Sequence, residues 1–215
     1  MIDAPIPVDA FPLLERFVRR LNVPKNRAYA DLASCNAPLL RQMATWLGSN
    51  RVVAVEPRLP ASERDHWRCP RLEFQDRRFH QPSPDAERFA VVSCFDVLSI
   101  SRDPFLIVQR ALGSLTQGGT AIIVVPDPSG WRGWSKRAAR ALSSNAMALG
   151  DDRAVDRTTL DAIFDAFPVE LKSRNVGGFR AYGAKLLAPV RVSNEPVTVA
   201  DRQTSTGRES NPVFS

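Results

Sequence analysis

Two stretches, Phe89-Ala-Val-Val-Ser-Cys-Phe-Asp-Val-Leu98 and Leu112-Gly-Ser-Leu-Thr-Gln-Gly-Gly-Thr-Ala-Ile-Ile-Val-Val-Pro126, decide how this chain folds. The first is an apolar run that ends in small and polar residues. The second carries a Gly-Gly turn and then a β-branched run that stops at a proline. Between them the spacing predicts a helix over about Pro104 to Leu115. Two continuous apolar runs joined by a helix suit a parallel βαβ unit, whose strands are covered on both faces. On this reading Ser93 to Asp96 lie just past the carboxyl end of a strand, where open α/β sheets build their sites.

The same alternation extends upstream. Arg27-Ala-Tyr-Ala-Asp-Leu32 reads as a first strand, although its propensity is poor. Ala37 to Leu47 reads as a helix with Asn36 as N-cap and Pro38 in its first turn. Arg51-Val-Val-Ala-Val-Glu-Pro57 is a buried strand that ends in a carboxylate. Residues 58 to 70 hold only a short helical stretch near Ser62 to Trp67. Arg71-Leu-Glu-Phe-Gln-Asp76 is a third, more exposed strand, and a Pro-rich loop runs from it to Glu87. An opening helix is expected over about 10–21, where Phe11, Leu13, Leu14, Phe17, Val18 and Leu21 make an apolar face ended by Pro24.

Downstream, Trp131 to Leu149 has helical spacing with Arg132, Lys136, Arg137 and Arg140. Thr158-Thr-Leu-Asp161 resembles a capping box that opens a helix to about Phe167. Val169-Glu-Leu-Lys-Ser and Phe179 to Ala188 alternate polar with apolar around Asn175-Val-Gly-Gly, as an antiparallel pair closing the sheet does. From Arg191 to Ser215 the composition turns polar and charged without periodicity, so 191–215 is expected as a disordered tail. Residues 1–190 are then one domain.

A chain of 215 residues with 44% hydrophobic content can bury a full core. No apolar run approaches the roughly 20 residues that span a bilayer. A signal peptide is not expected, because Met1-Ile-Asp-Ala-Pro lacks a basic segment followed by an apolar one. Cys35, Cys69 and Cys94 show no paired spacing, which suits reduced thiols and a cytoplasmic location. No C-x-x-C or H-x-x-x-H pair exists beside His66 and His80, so no metal site is expected. The net charge of +6 and pI near 9.8 favour an anionic partner only weakly. Nucleic acid is admitted by the charge but is supported by no motif.

Five strands alternating with helices, then an antiparallel hairpin, resemble the class I S-adenosylmethionine-dependent methyltransferases over roughly residues 10–190. Asp31-Leu-Ala-Ser-Cys-Asn-Ala37 sits where that family has an acidic residue ahead of a glycine-rich turn. Glu56 ends strand two, where the family holds the cofactor's ribose hydroxyls. Asp76 ends strand three, where an acidic residue often meets the adenine. Leu112 to Pro126 matches the family's segment around strand five. The resemblance implies a Rossmann-like three-layer α/β sandwich, its seven-stranded sheet mostly parallel with an antiparallel C-terminal hairpin. It implies S-adenosylmethionine as cofactor and methyl transfer to an oxygen, nitrogen or carbon acceptor.

The departure lies in the first motif, where Ala33, Cys35 and Ala37 replace glycines. A non-glycine residue at positive φ costs roughly 1–2 kcal/mol, so weaker cofactor binding is expected. The cofactor contacts expected from the resemblance are Asp31, Ala33, Glu56, Asp76, Cys94, Phe95 and Asp96, with no general base named. Each has a plainer reading: Asp31 and Glu56 as solvated strand ends, Asp76 as an ion pair with Arg77 or Arg78, Cys94 as a small buried hydrophobe, Asp96 as a helix cap. His80, a general base by residue type, lies in the Pro-rich loop. The 131–149 helix reads as an amphipathic surface helix, as a lid over a small or macromolecular acceptor that its cations would suit if anionic, or as a peripheral membrane contact. Two other functions are compatible with parts of the sequence. A catalytically inactive binding or scaffolding protein fits the missing glycines, while a nicotinamide-dependent dehydrogenase is disfavoured for want of G-x-G-x-x-G.

Overall fold

The computed structural model describes residues 6–33, 37–55, 71–76, 78, 88–95, 98, 103–127 and 157–190. Strands β1 (Ala28–Leu32), β2 (Arg51–Val55), β3 (Leu72–Gln75), β4 (Phe89–Phe95), β5 (Leu115–Pro126), β6 (Val169–Val176) and β7 (Phe179–Leu186) form one seven-stranded sheet. Their order is β3-β2-β1-β4-β5-β7-β6. The first five strands pair parallel, and β7 runs antiparallel to both β5 and β6. The sheet is therefore the expected one, with β1 beside β4 near its centre.

Four α-helices stand among the described residues: α1 (Phe11–Arg20), α2 (Ala37–Leu47), α3 (Pro104–Gly113) and α4 (Arg157–Asp165). They cover both faces. Alternate strand residues supply two clusters, because successive side chains point to opposite sides of a sheet. Ala30, Val53, Val92, Cys94, Ile123 and Tyr182 pack with Ile107, Leu112, Leu160 and Phe164 of α3 and α4. Tyr29, Ala54, Val91, Ile122 and Ala181 pack with Leu14, Phe17, Leu40 and Met43 of α1 and α2.

Four local expectations are corrected. The first strand of the deciding unit runs on to Phe95, so Ser93, Cys94 and Phe95 lie within β4 and are buried. Leu13 is 37% exposed and stands off the core that Leu14 and Phe17 enter. Helix α4 begins at Arg157 and ends at Asp165, which puts Thr158 inside it and not at a cap. Helix α3 starts where expected, its Leu106 amide held by the Asp103 carboxylate at 3.0 Å, but stops at Gly113.

Between Phe89 and Val91 the β4–β5 register jumps from Leu115 to Thr120, so Thr116 to Gly119 bulge outward. Gly119 is required there, because a Cβ would stand 2.8 Å from the Thr116 carbonyl and 3.0 Å from the Ala90 carbonyl. The β6–β7 hairpin turns on Gly177 and Gly178, both at positive φ (58° and 85°), the geometry a two-residue type I′ turn demands. Among the described residues no helix is long and apolar enough to cross a membrane.

Candidate functional site

The carboxyl ends of β1, β2 and β4 lie side by side, with Leu32 opposite both Val55 and Cys94. Immediately past β1, Ala33 adopts φ 54°, the left-handed conformation that the missing glycine would take without strain. Its amide donates to the Val55 carbonyl at 2.8 Å, which ties the turn to the end of β2. The Ala33 methyl is buried in the cluster below α3. Alanine thus keeps the shape of the turn, and its extra carbon is taken up by the core.

Asp31, two residues earlier, is 3% exposed. Its carboxylate accepts a hydrogen bond from the Ser93 hydroxyl on β4, the residue paired with it across the two strands. The Tyr29 hydroxyl lies 2.6 Å from the same Ser93 oxygen. A serine has one hydrogen to give, and the carboxylate can only accept. The chain of donation therefore runs from Tyr29 to Ser93 to Asp31. Burial, and next the Asp31 charge, push the Tyr29 phenol well above its ordinary range. Asp31 is not a solvated strand end. It is the anionic terminus of a hydrogen-bonded relay inside the sheet, directly beneath the Ala33 turn.

The other expected residues separate. Cys94 is buried on the α3 side and forms no disulfide, whereas Phe95 is buried on the α2 side. Asp76 is exposed just beyond β3. Glu56 and Asp96 follow Val55 and Phe95 directly in the chain but lie outside the described residues, as do Cys35, His80 and the 131–149 segment.

Asp127 was missed by the sequence reading. It follows β5 at the same edge, is 4% exposed, and accepts from Asn175 Nδ2 at 3.0 Å and Arg180 Nη2 at 3.1 Å. Its amide donates to the Gly178 carbonyl, so it fixes the hairpin turn against the end of β5. An aspartate after Pro126 looks like an ordinary turn residue. Only the closeness of the hairpin, some 50 residues later in sequence, distinguishes it.

No protein-family model and no curated protein matches the sequence. Solved structures do. The chain superposes on a Haloferax volcanii protein solved in complex with the Trm112 methyltransferase activator with TM-score 0.63 at 13% identity, over 82% of this chain and 88% of that one. Human N-acetylserotonin methyltransferase in complex with SAM gives TM-score 0.61 at 15% identity, over 83% of this chain and 52% of that one. An O-methyltransferase family protein from Burkholderia thailandensis gives 0.59 at 15%, over 81% and 56%. This chain spans about half the length of the last two. At these identities the likeness is one of fold. With the strand order above, it shows that this chain carries the fold of the class I S-adenosylmethionine-dependent methyltransferases.

Proposed function

We propose that this protein binds S-adenosylmethionine at the carboxyl edge of β1, β2 and β4 and transfers its methyl group to an acceptor. The observation that carries the reading is Ala33. An alanine held at φ 54° two residues after a buried carboxylate has the backbone conformation that a glycine would take there without strain.

Under this reading Asp31 and its relay hold the turn rigid, and Ala33 lets the backbone approach the ligand. Glu56 would take the ribose hydroxyls and Asp76 the adenine edge, with Asp96, just past β4, on the β4 side and the buried Cys94 and Phe95 supporting that strand end from opposite faces of the sheet. The sulfonium brings an already activated methyl group. What remains for the protein is to align acceptor, methyl and sulfur and to keep water out. A base is needed only when the acceptor must lose a proton. The acceptor is a small molecule or a macromolecular side group, and the basic 131–149 segment favours an anionic one.

Calorimetric titration with S-adenosylmethionine and S-adenosylhomocysteine tests the reading. Saturable binding is expected, weakened on the order of 10- to 100-fold in Glu56→Ala, because hydrogen bonds to a charged group contribute about 1.5–3 kcal/mol each. Absence of binding at millimolar ligand in the wild type would leave the inactive binding protein as the function of this fold.

A further inference from the structure

The opposite edge of the sheet carries a second arrangement. Arg71 precedes β3, Arg51 opens β2, Arg27 precedes β1 and Arg88 precedes β4. These four strands are consecutive neighbours in the sheet. Every one of them is therefore entered through an arginine. With strands about 4.8 Å apart, the four positions span roughly 14 Å along the amino edge.

Three of the four, Arg27, Arg51 and Arg88, line a cleft of about 710 Å³, together with Pro24, Asn50 and the Thr116–Gly119 bulge of β5. The bulge is fixed, since Gly119 admits no side chain and the Thr116 hydroxyl donates to the Phe89 carbonyl at 3.3 Å. Arg51 is held by Glu73 at 2.6 and 3.0 Å, and that pair offsets its charge. Arg27 and Arg88 are exposed and form no ion pair with a described residue. Among the described residues that line the cleft none is aromatic.

We infer that this amino-edge cleft binds the phosphodiester backbone of a nucleic-acid strand, with Arg27 and Arg88 as its principal phosphate contacts. A row of guanidinium groups across adjacent strands follows an extended polyanion better than it encloses one small anion. The described lining offers guanidinium groups and no stacking surface, so the contact it supports is with the phosphate backbone and does not read sequence. The cleft and the Ala33 turn lie at opposite strand ends, so this inference is independent of the methyl-transfer reading.

Fluorescence anisotropy with a labelled 12-nucleotide oligouridylate tests it. Binding on the order of 10 μM is expected at low salt, within the range of sequence-independent contacts. The Arg27→Ala/Arg88→Ala double variant should bind on the order of 10-fold more weakly. Its dependence of log K on log salt should be shallower by about 1.4, at roughly 0.7 per single-strand phosphate contact. Glu73→Gln removes a negative charge from beside the cleft and should tighten binding, and Arg16→Ala/Arg20→Ala on α1 should change nothing. A thermal melt of each variant confirms that it is folded.

Four results would overturn the inference. One is no binding at about 100 μM protein, the weak limit for such contacts. Another is an unchanged salt slope in the Arg27/Arg88 variant, which would place binding elsewhere, for instance on the 131–149 segment. A third is complete displacement by inorganic phosphate equimolar with the oligonucleotide's phosphates. The fourth is arginine-dependent sedimentation with phosphatidylserine vesicles while the oligonucleotide stays free.

Discussion

The hydroxyls of Tyr29 and Ser93 stand 2.6 Å apart between two strands whose residues are 64 positions apart in sequence. Ser93 passes its own hydrogen to Asp31. Three polar groups are thereby satisfied in a place where none of them reaches water. A buried charge without such partners would cost several kcal/mol. Ser93→Ala removes the hydroxyl that bonds both Tyr29 and Asp31, so each loses one buried hydrogen bond. The expected loss is about 2–3 kcal/mol, read as a shifted urea midpoint at unchanged slope. A loss below about 0.5 kcal/mol would show that the relay is not closed as described.

The chain has only two tyrosines, and both are fully buried. Burial raises Tyr29 well above its ordinary value of 10.0, and burial pushes Tyr182 up to about 12. A tyrosine favoured in its neutral form stabilises the fold fully below pH 10, and that stabilisation is lost as pH climbs through the folded value. Absorbance at 295 nm should therefore show no tyrosinate near pH 10 in the native protein. It should rise only toward pH 12, together with loss of near-ultraviolet circular dichroism. In concentrated urea both should titrate near pH 10.

Tyr182 stacks on Phe164 at 5.5 Å between ring centroids, but its buried hydroxyl meets no hydrogen-bond partner among the described residues. Desolvating a hydroxyl without a partner costs about 1–3 kcal/mol. Tyr182→Phe keeps the ring and removes the orphan atom, so stability should rise by about 1 kcal/mol in chemical denaturation. A destabilised variant would show that the hydroxyl has a partner in solution.

The strained turn at Ala33 also yields a quantitative expectation. Because φ 54° at Ala33 is held by its amide hydrogen bond to Val55 and by the burial of its methyl group, the strain of roughly 1–2 kcal/mol is assigned to folding and not to cofactor binding. Ala33→Gly relieves it, but loses a buried methyl worth about 0.8 kcal/mol and adds unfolded-chain freedom worth about 0.4–1 kcal/mol. These nearly cancel. The variant should melt within a few degrees of wild type and bind S-adenosylmethionine with affinity changed less than threefold. A tenfold gain in calorimetry would mean that the turn forms only with the ligand.

Strands β1, β2, β4 and β5 were legible because β-branched or small apolar runs are bounded by charge, glycine or proline. The hairpin was legible from Gly177-Gly178. The end of β4 was not. Ser93 and Phe95 break the aliphatic run and read as loop, whereas Ser93 is tolerated in a buried strand only because Asp31 and Tyr29 satisfy it. That partnership is long-range and leaves no local mark. Leu13 matched the helical period of α1 but fell at the rim of the stripe, where periodicity cannot separate buried from half-exposed. In the candidate site, the turn at Ala33 could be anticipated from the acidic residue ahead of it, but Asp127 could not, since its partners come from the hairpin.

Helix α1 is synthesised long before β6 and β7, against which it packs. It contacts β6 and β7, and Ala10 sits under the hairpin turn, where a Cβ on Gly177 would be 3.2 Å from the Ala10 Cβ. At about 5–20 residues per second, roughly 10–30 s separate the synthesis of Arg20 from that of Leu186. During that interval on the ribosome, Phe11, Leu14, Phe17 and Val18 have part of their docking surface missing. Through that interval the nascent chain carries an uncovered amphipathic helix, the kind of surface that ribosome-associated chaperones cover, until β7 emerges.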